Sequence, residues 1–269
     1  MRKLITLAAC LALAAAPTPA DDKTPTGDKD KVLRRFADEF VALTPGKDRF
    51  PASFTMGGKA ANEKPAHEVK LRGTFAVNKY EVTQELYEAL MGKNPSKWKG
   101  PRNSVEMVNW EEAVEFCRKV TGELRQRKLL GDDEVIRLPS EAEWEYACRA
   151  GSTTEYSFGD KEADLKEHAW FNGNARGEDP PVGKKKPNAW GLYDMHGYVW
   201  EWTADAWHDD YKGAPADGGV WDEKGAKERV LRGGSWADGA DACRSAYRGH
   251  REAGHRSDSV GFRCVRAAK

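Results

Sequence analysis

Between Asp194 and Glu201, two carboxylates stand seven residues apart on either side of Gly197. Because this glycine has no side chain, the backbone can curl there, and main-chain carbonyls can join the two acids around one point. A shell of carboxylate and carbonyl oxygens suits a hard cation, calcium above all; the competing reading is a tight turn with exposed acids. Softer chemistry falls to the cysteines. Cys117, Cys148, Cys243 and Cys264 lie beyond the N-terminal region, and their spacing alone allows three complete pairings. In an oxidising compartment at least two of them should pair. His196, His250 and His255 share the later half of the chain with Cys243, and imidazole is a metal ligand, but spacing alone places none of them beside that thiol.

These side chains need elements to hold them. Glu39 to Leu43 reads as a short strand closed by Thr44-Pro45-Gly46, with Ala52 to Met56 as its partner before Gly57-Gly58. A helix runs from about Gln84 to Met91, after Thr83 and before Gly92. A second starts after Asn109, whose side chain can accept free first-turn amides while Glu112 reaches back. Trp110, Ala113, Val114, Cys117 and Leu124 fall on its apolar stripe, which turns Cys117 toward the core. A third begins at Ser140 with Glu143 in the reciprocal capping position; Trp144, Ala147 and Cys148 form its buried face, and Gly151 ends it. Beyond Gly151, Gly, Pro, Asn, Asp and Trp recur every few residues and no apolar period persists. This half is loop-rich, and it depends on disulfides, bound cations or tryptophan packing to satisfy and bury its backbone. Strong helix caps only before residue 151 exclude a helical bundle.

The first twenty residues read as a secretory signal peptide: Arg2 and Lys3, an apolar run from Leu4 to Ala16, then small residues at Thr18 and Ala20 before Asp21. The apolar run is too short to span a bilayer. The protein is therefore expected to be exported, to the periplasm or beyond the cell. Residues 21–31, rich in Asp, Lys, Thr, Pro and Gly, read as a flexible leader, and residues 32–269 as one large domain. Lys plus Arg equals Asp plus Glu at 43 each, so removal of Arg2 and Lys3 leaves a net charge of about minus two. This balance favours neither nucleic acid nor an anionic membrane as partner, and no later segment is apolar for long enough to cross a membrane.

Four blocks, in order, resemble the formylglycine-generating enzyme (sulfatase-modifying factor) family. The first holds Phe54-Thr55-Met56-Gly57 with Glu63, Pro65 and His67, then Glu81-Val82-Thr83. The second runs from Arg137-Leu138-Pro139-Ser140 to Tyr146-Ala147, and the third from Pro187-Asn188-Ala189-Trp190 through Asp194-Met195 to Trp200-Glu201-Trp202-Thr203. The fourth is Arg229-Val230-Leu231-Arg232-Gly233-Gly234-Ser235-Trp236 with Gly261-Phe262-Arg263. The resemblance implies an α+β, C-type-lectin-like fold low in regular structure. In catalytically active members it also implies oxidation of a cysteine in a client sulfatase to formylglycine, with copper and molecular oxygen.

Residue by residue, the resemblance implies a structural calcium site on the side chains of Asp194 and Glu201 and the carbonyls of Gly197 and Val199. The chain departs from the family at Tyr198, where asparagine is common. It also implies a Cys148–Cys264 disulfide, with Cys117 left as a core thiol, and a substrate pocket made by Ser235 and an aromatic wall at Trp200. Active members bind copper(I) with two cysteines five apart after Gly-Gly-Ser. Here Cys243 stands at the second place and Asp238 at the first, and a carboxylate is a poor ligand for a soft cation. Two readings follow. One is an oxidoreductase using copper at Cys243 on a sulfatase or another exported client. The other is a non-catalytic, calcium-stabilised module that binds a peptide or glycan. Neither fixes the oligomeric state.

Overall fold

Local signals set the helices. The computed structural model describes residues 26–177 and 179–269, so the signal peptide read at residues 1–20 lies outside the described residues. Helix α1 (Thr26–Asp38) begins inside the stretch read as a leader, and its Lys29 and Asp30 pair with Glu123 and Arg127 at 2.7 Å each. Strand β1 (Phe40–Leu43) follows, then β2 (Phe54–Met56), β3 (His67–Val69) and β4 (Phe75–Asn78). Helix α2 (Gln84–Met91) ends at Gly92 with φ 73°, the left-handed conformation that glycine adopts without cost. In α3 (Trp110–Gln126) the Asn109 side chain accepts the Glu112 N–H at 2.9 Å and Glu112 reaches back to the Asn109 amide. Val114 does not share the buried stripe: it is 39% exposed, because one residue past buried Ala113 rotates it about 100° around the helix.

Strand β5 (Glu134–Arg137) leads into α4 (Glu141–Arg149), which is capped reciprocally by Ser140 and Glu143 and has every residue buried. After the four-residue helix α5 (Leu165–His168), the later half is mostly loops. They carry β6 (Trp200–Ala206), β7 (Glu228–Arg232), β8 (Gly249–Glu252), β9 (Val260–Gly261) and β10 (Val265–Ala268).

Two four-stranded sheets form, in the orders β1-β4-β10-β5 and β8-β7-β6-β9, with β2-β3 as a separate pair. The strand at 54–56 therefore pairs with β3 and not with β1; β1 takes β4 in antiparallel register from Phe40↔Asn78 to Leu43↔Phe75. The β6–β9 contact is the parallel one, Trp200 opposite Val260. Together with the helices these sheets make an α+β, C-type-lectin-like fold.

One core joins α1, α2 and α3 to Trp202, Leu231 and Phe262; in it Tyr87 stacks on Phe116 and Phe116 meets Phe262 edge-on at 5.2 Å. A second packs α4 against β4 and the 190–195 segment. A small third cluster of Tyr156, Leu165, Ala169, Ala240 and Cys243 seals the loops. No helix among the described residues is long and apolar enough to cross a membrane.

This division of the interior places Cys148 and Cys264, the pair implied by the resemblance, in separate cores. Cys148 belongs to the second core, where its sulfur faces the Met195 carbonyl at 3.5 Å and the His196 ring at 3.8 Å. Cys264 belongs to the first, its sulfur 3.7 Å from that of Cys117, and all four described cysteines are free thiols. Cys117 faces the core as its helical spacing requires, but it has a sulfur neighbour there.

Candidate functional site

The turn after β7 brings the candidate site residues together. Gly233 and Gly234 adopt φ 100° and 75°, so the chain reverses at once, and a side chain at Gly234 would come within 2.9 Å of the Cys243 sulfur. Ser235, Trp236, Ala237 and Asp238 then close on themselves: the Asp238 amide donates to the Ser235 carbonyl at 3.1 Å and the Ala237 amide to Ser235 Oγ at 3.2 Å. Trp200 enters from the start of β6, and its indole Nε1 donates to Asp238 Oδ2 at 2.8 Å. Ser235 Oγ donates to the same oxygen. Gly249 faces Trp200 across the sheet, where a Cβ would sit 3.0 Å from the ring, and Tyr247 tilts against it at 5.9 Å. Ser235, Trp200 and Asp238 thus form one constellation, with Trp200 and Asp238 partly open to solvent and Ser235 buried.

Cys243 lies just behind this constellation and does not join it. It is fully buried in a short 3-10 turn (Ala240–Cys243), with its sulfur 3.7 Å from the Gly239 carbonyl. Burial pushes its thiol well above the usual range, and the charge of Asp238 pushes in the same direction. A thiolate, the form that binds a soft metal, is therefore disfavoured.

His196 and His250 have other partners. His196 is buried, with Nδ1 donating to the Cys243 carbonyl at 2.9 Å and Nε2 accepting from the Ser157 amide at 3.1 Å. Both nitrogens are spent, and burial pushes its pKa down to about 4, so the ring stays neutral. His250 stacks on Trp207 and pairs with Glu228 at 3.0 Å. The residues at the expected cysteine positions do not fit a copper(I) centre: one buried thiol and a carboxylate already holding two donors.

The calcium residues are divided differently from expectation. The loop does curl at Gly197, φ 153°, where a Cβ would meet the Trp170 carbonyl at 2.4 Å; Asp194 and Tyr198 also take positive φ values of 58° and 72°. Val199 is buried within the same segment. Tyr198, the departure from the family pattern, turns inward, donates its hydroxyl to Asp179 Oδ1 at 2.8 Å and accepts the Ser104 amide at 3.1 Å. Glu201, however, faces Arg263: its Oε1 takes Nη2 at 2.6 Å, and its Oε2 takes Nε at 2.7 Å together with the Trp144 indole at 2.7 Å. Asp194 accepts the Gly183 amide through Oδ2 at 2.7 Å, and its Oδ1 has no hydrogen-bond partner. Burial pushes the Asp194 carboxyl up to about 6. An orphaned buried carboxylate oxygen at Asp194 fits a cation, while both oxygens of Glu201 are held here by Arg263 and Trp144. No three Asp, Glu, His or Cys side chains converge as a metal site among the described residues.

Sequence reading gave no role to Arg263 or Glu81, although both stand in quoted motifs. Both are buried, and the only local signal is a charged residue directly beside apolar ones, Phe262 and Val82.

Comparison with known proteins agrees with this architecture. Residues 31–268 match the family described as Sulfatase-modifying factor enzyme 1-like domain. The chaperone protein LppX of Paenibacillus barcinonensis is 29% identical over 236 residues, covering 72% of this chain and 80% of LppX. The formylglycine-generating enzyme of Bos taurus is 32% identical over 61% of this chain and 44% of its own length. The inactive C-alpha-formylglycine-generating enzyme 2 of Mus musculus is 36% identical over 63% of this chain and 52% of its own length. The chain thus spans about half the length of these two enzyme-named relatives. Among solved structures, Treponema denticola variable protein 1 superposes with a TM-score of 0.74 at 31% identity, covering 84% of this chain and 94% of that one. The match over nearly all of the described residues, on the fold just set out, places this chain in the sulfatase-modifying factor (formylglycine-generating enzyme) family.

Proposed function

We propose that this chain is an exported, non-oxidising member of its family that uses the cleft around Trp200, Ser235 and Asp238 to hold an extended segment of an exported client protein. The observation that carries the reading is the Asp238 carboxylate, which stands where active members place a thiolate and is tied to both Trp200 and Ser235. Oxidation of a client cysteine by copper and oxygen calls for a soft, paired thiolate site, and Cys243 alone, buried and protonated, does not supply one. What remains is well suited to binding. The indole of Trp200 is fixed in orientation by its own N–H bond, so little side-chain freedom is lost when a ligand stacks on it. Similarity to a protein named as a chaperone and to one named as inactive supports a binding role without catalysis.

The test is a pair of measurements on purified protein lacking residues 1–20. A peptide carrying a sulfatase-type cysteine motif, incubated with copper, oxygen and mild reductant, should show no formylglycine by mass spectrometry. The same peptide, fluorescently labelled, should bind with an affinity that falls at least about tenfold in Trp200→Ala, the scale of an aromatic contact worth above 1 kcal/mol. Formylglycine in the product would sink the reading. Binding that Trp200→Ala leaves unchanged would remove the cleft as its seat.

A further inference from the structure

Helix α3 turns an unpartnered face to solvent. At about 100° per residue, Glu111, Arg118 and Arg125 line up along the middle of that face, with Val114 about 40° to one side and Gly122 about 40° to the other. Val114 and Val220 are two of the three large hydrophobic side chains that stand open to solvent among the described residues. Both line a groove of about 700 Å³ beside α3, together with Trp110, Gly122, Arg125 and Leu138. Glycine in a helix interior is destabilising against alanine, yet the fold does not require one here: a Cβ on Gly122 would meet no atom within 4 Å outside its own helix backbone. The groove shares no residue with the Trp200, Ser235 and Asp238 constellation.

An added strand does not suit this groove. Strand β5 is an edge of its sheet, but α3 already caps it: Thr121 Oγ1 accepts the Ile136 N–H at 3.0 Å, and Arg125 donates to the Glu134 carbonyl. A helix does suit it, and α3 itself carries the complementary surface. Along the outward face the acids Glu111 and Glu115 precede the bases Arg118 and Arg125. Arg118 holds its own Glu115 through two bonds of 2.6 and 2.7 Å, whereas Arg125 donates to the carbonyls of Gly131 and Glu134. We infer that two copies of this chain associate through α3, antiparallel about a two-fold axis level with Arg118. Glu111 and Arg125 stand equally far from Arg118, so the axis sets Glu111 of each copy opposite Arg125 of the other. Val114 and Gly122 are likewise equidistant from it, so Val114 of one copy enters the open space at Gly122 of the other. The two Arg118 side chains meet near the axis already neutralised by Glu115. A strip about 25 Å long and about 10 Å wide on each copy, with its rim, buries on the order of 1,000 Å² in total. That is the low end for a specific interface, so the dimer is reversible and depends on concentration. The inference is independent of what the cleft binds.

Analytical ultracentrifugation of purified protein lacking residues 1–20 tests it, over a range from about 1 µM to about 500 µM. Wild type should pass from monomer to dimer within that range. Val114→Arg and Gly122→Leu should each weaken association at least about tenfold. Both positions are exposed, so each variant should melt no lower than wild type when dilute, and Gly122→Leu also removes a helix-interior glycine. Glu111→Arg and Arg125→Glu should each weaken association roughly tenfold, because the two-fold axis makes every such change remove two ion pairs, and the double variant should regain wild-type association. A chain that stays monomeric over the whole range overturns the inference and leaves the groove to a ligand from outside the chain. A dimer indifferent to Val114→Arg and Gly122→Leu overturns it as well, since another surface then makes the contact. Failure of the double reversal to regain what the single ones lose overturns the antiparallel pairing on which it rests.

Discussion

The Trp200 indole N–H is bonded at 2.8 Å to Asp238 Oδ2, so the Trp200 ring is held by the residue at the position where the family resemblance implies a metal-binding thiol. One side chain therefore both removes a soft ligand and fixes a ring. Asp238→Ala should free Trp200 and Ser235 together. The expected loss is about 2–3 kcal/mol of stability, the upper part of the range for a hydrogen bond to a charged group, because two donors lose the same carboxylate; urea unfolding reads it. Trp200 fluorescence anisotropy should fall in the same variant.

Asp238→Cys adds one thiol five residues before Cys243, which makes the pair at the spacing that the resemblance implies. This variant should bind copper(I) at one equivalent in competition with a chromogenic chelator, whereas wild type should not. Equal copper binding by wild type would mean that the Asp238–Cys243 pair already serves as a centre.

Cys117 and Cys264 lie 3.7 Å apart, sulfur to sulfur, and 147 residues apart in the chain. Export to an oxidising compartment should close them into a disulfide, seen as a 2 Da loss and resistance of both to alkylation, while Cys148 and Cys243 react after unfolding. Closing so long a loop adds about 5 kcal/mol in the chain-entropy model, so reductant should lower the melting temperature sharply. An intact mass with four free thiols after oxidative refolding would contradict this.

His196 gives the fold an acid-side weakness. Its folded pKa is about 4, lowered by burial from an ordinary 6.5, so the neutral ring is favoured in the folded state. Its stabilisation is full above pH 6.5 and is lost as pH falls toward 4, by roughly 3 kcal/mol in all. Wild type should lose melting temperature over that interval more steeply than His196→Gln, which keeps a donor for the Cys243 carbonyl but does not titrate. Parallel curves would show that His196 does not govern the interval.

Gly234→Ala probes how the cleft is shaped. With φ 75° and a Cβ 2.9 Å from both the Cys243 sulfur and the Ala242 carbonyl, the substitution should cost about 2–3 kcal/mol, read by urea unfolding. The Asp238 turn would shift with it, so binding by the cleft should weaken as well.

Sequence alone determined the parts governed by neighbours in the chain. Asn109 and Glu112 cap α3, Ser140 and Glu143 cap α4, and Gly92 ends α2, because each cap is decided within four residues. The family blocks determined the fold, and Asp238 in place of a thiol was visible from its distance to Gly-Gly-Ser. The cysteine pairing and the division of the acids were decided elsewhere. Cys264 meets Cys117 and not Cys148 because β10, which follows directly after it, pairs with β4 and β5 on the side covered by α3. Glu201 belongs to Arg263, and Glu81 is left facing inward beside Asp194, because strands far apart in the chain close around one guanidinium. Spacing encodes which face a residue takes on its own element. Only the packing of distant elements decides which charge it meets across the interface, and in a low-dielectric interior that meeting sets whether a carboxylate is satisfied by an arginine or left without a partner.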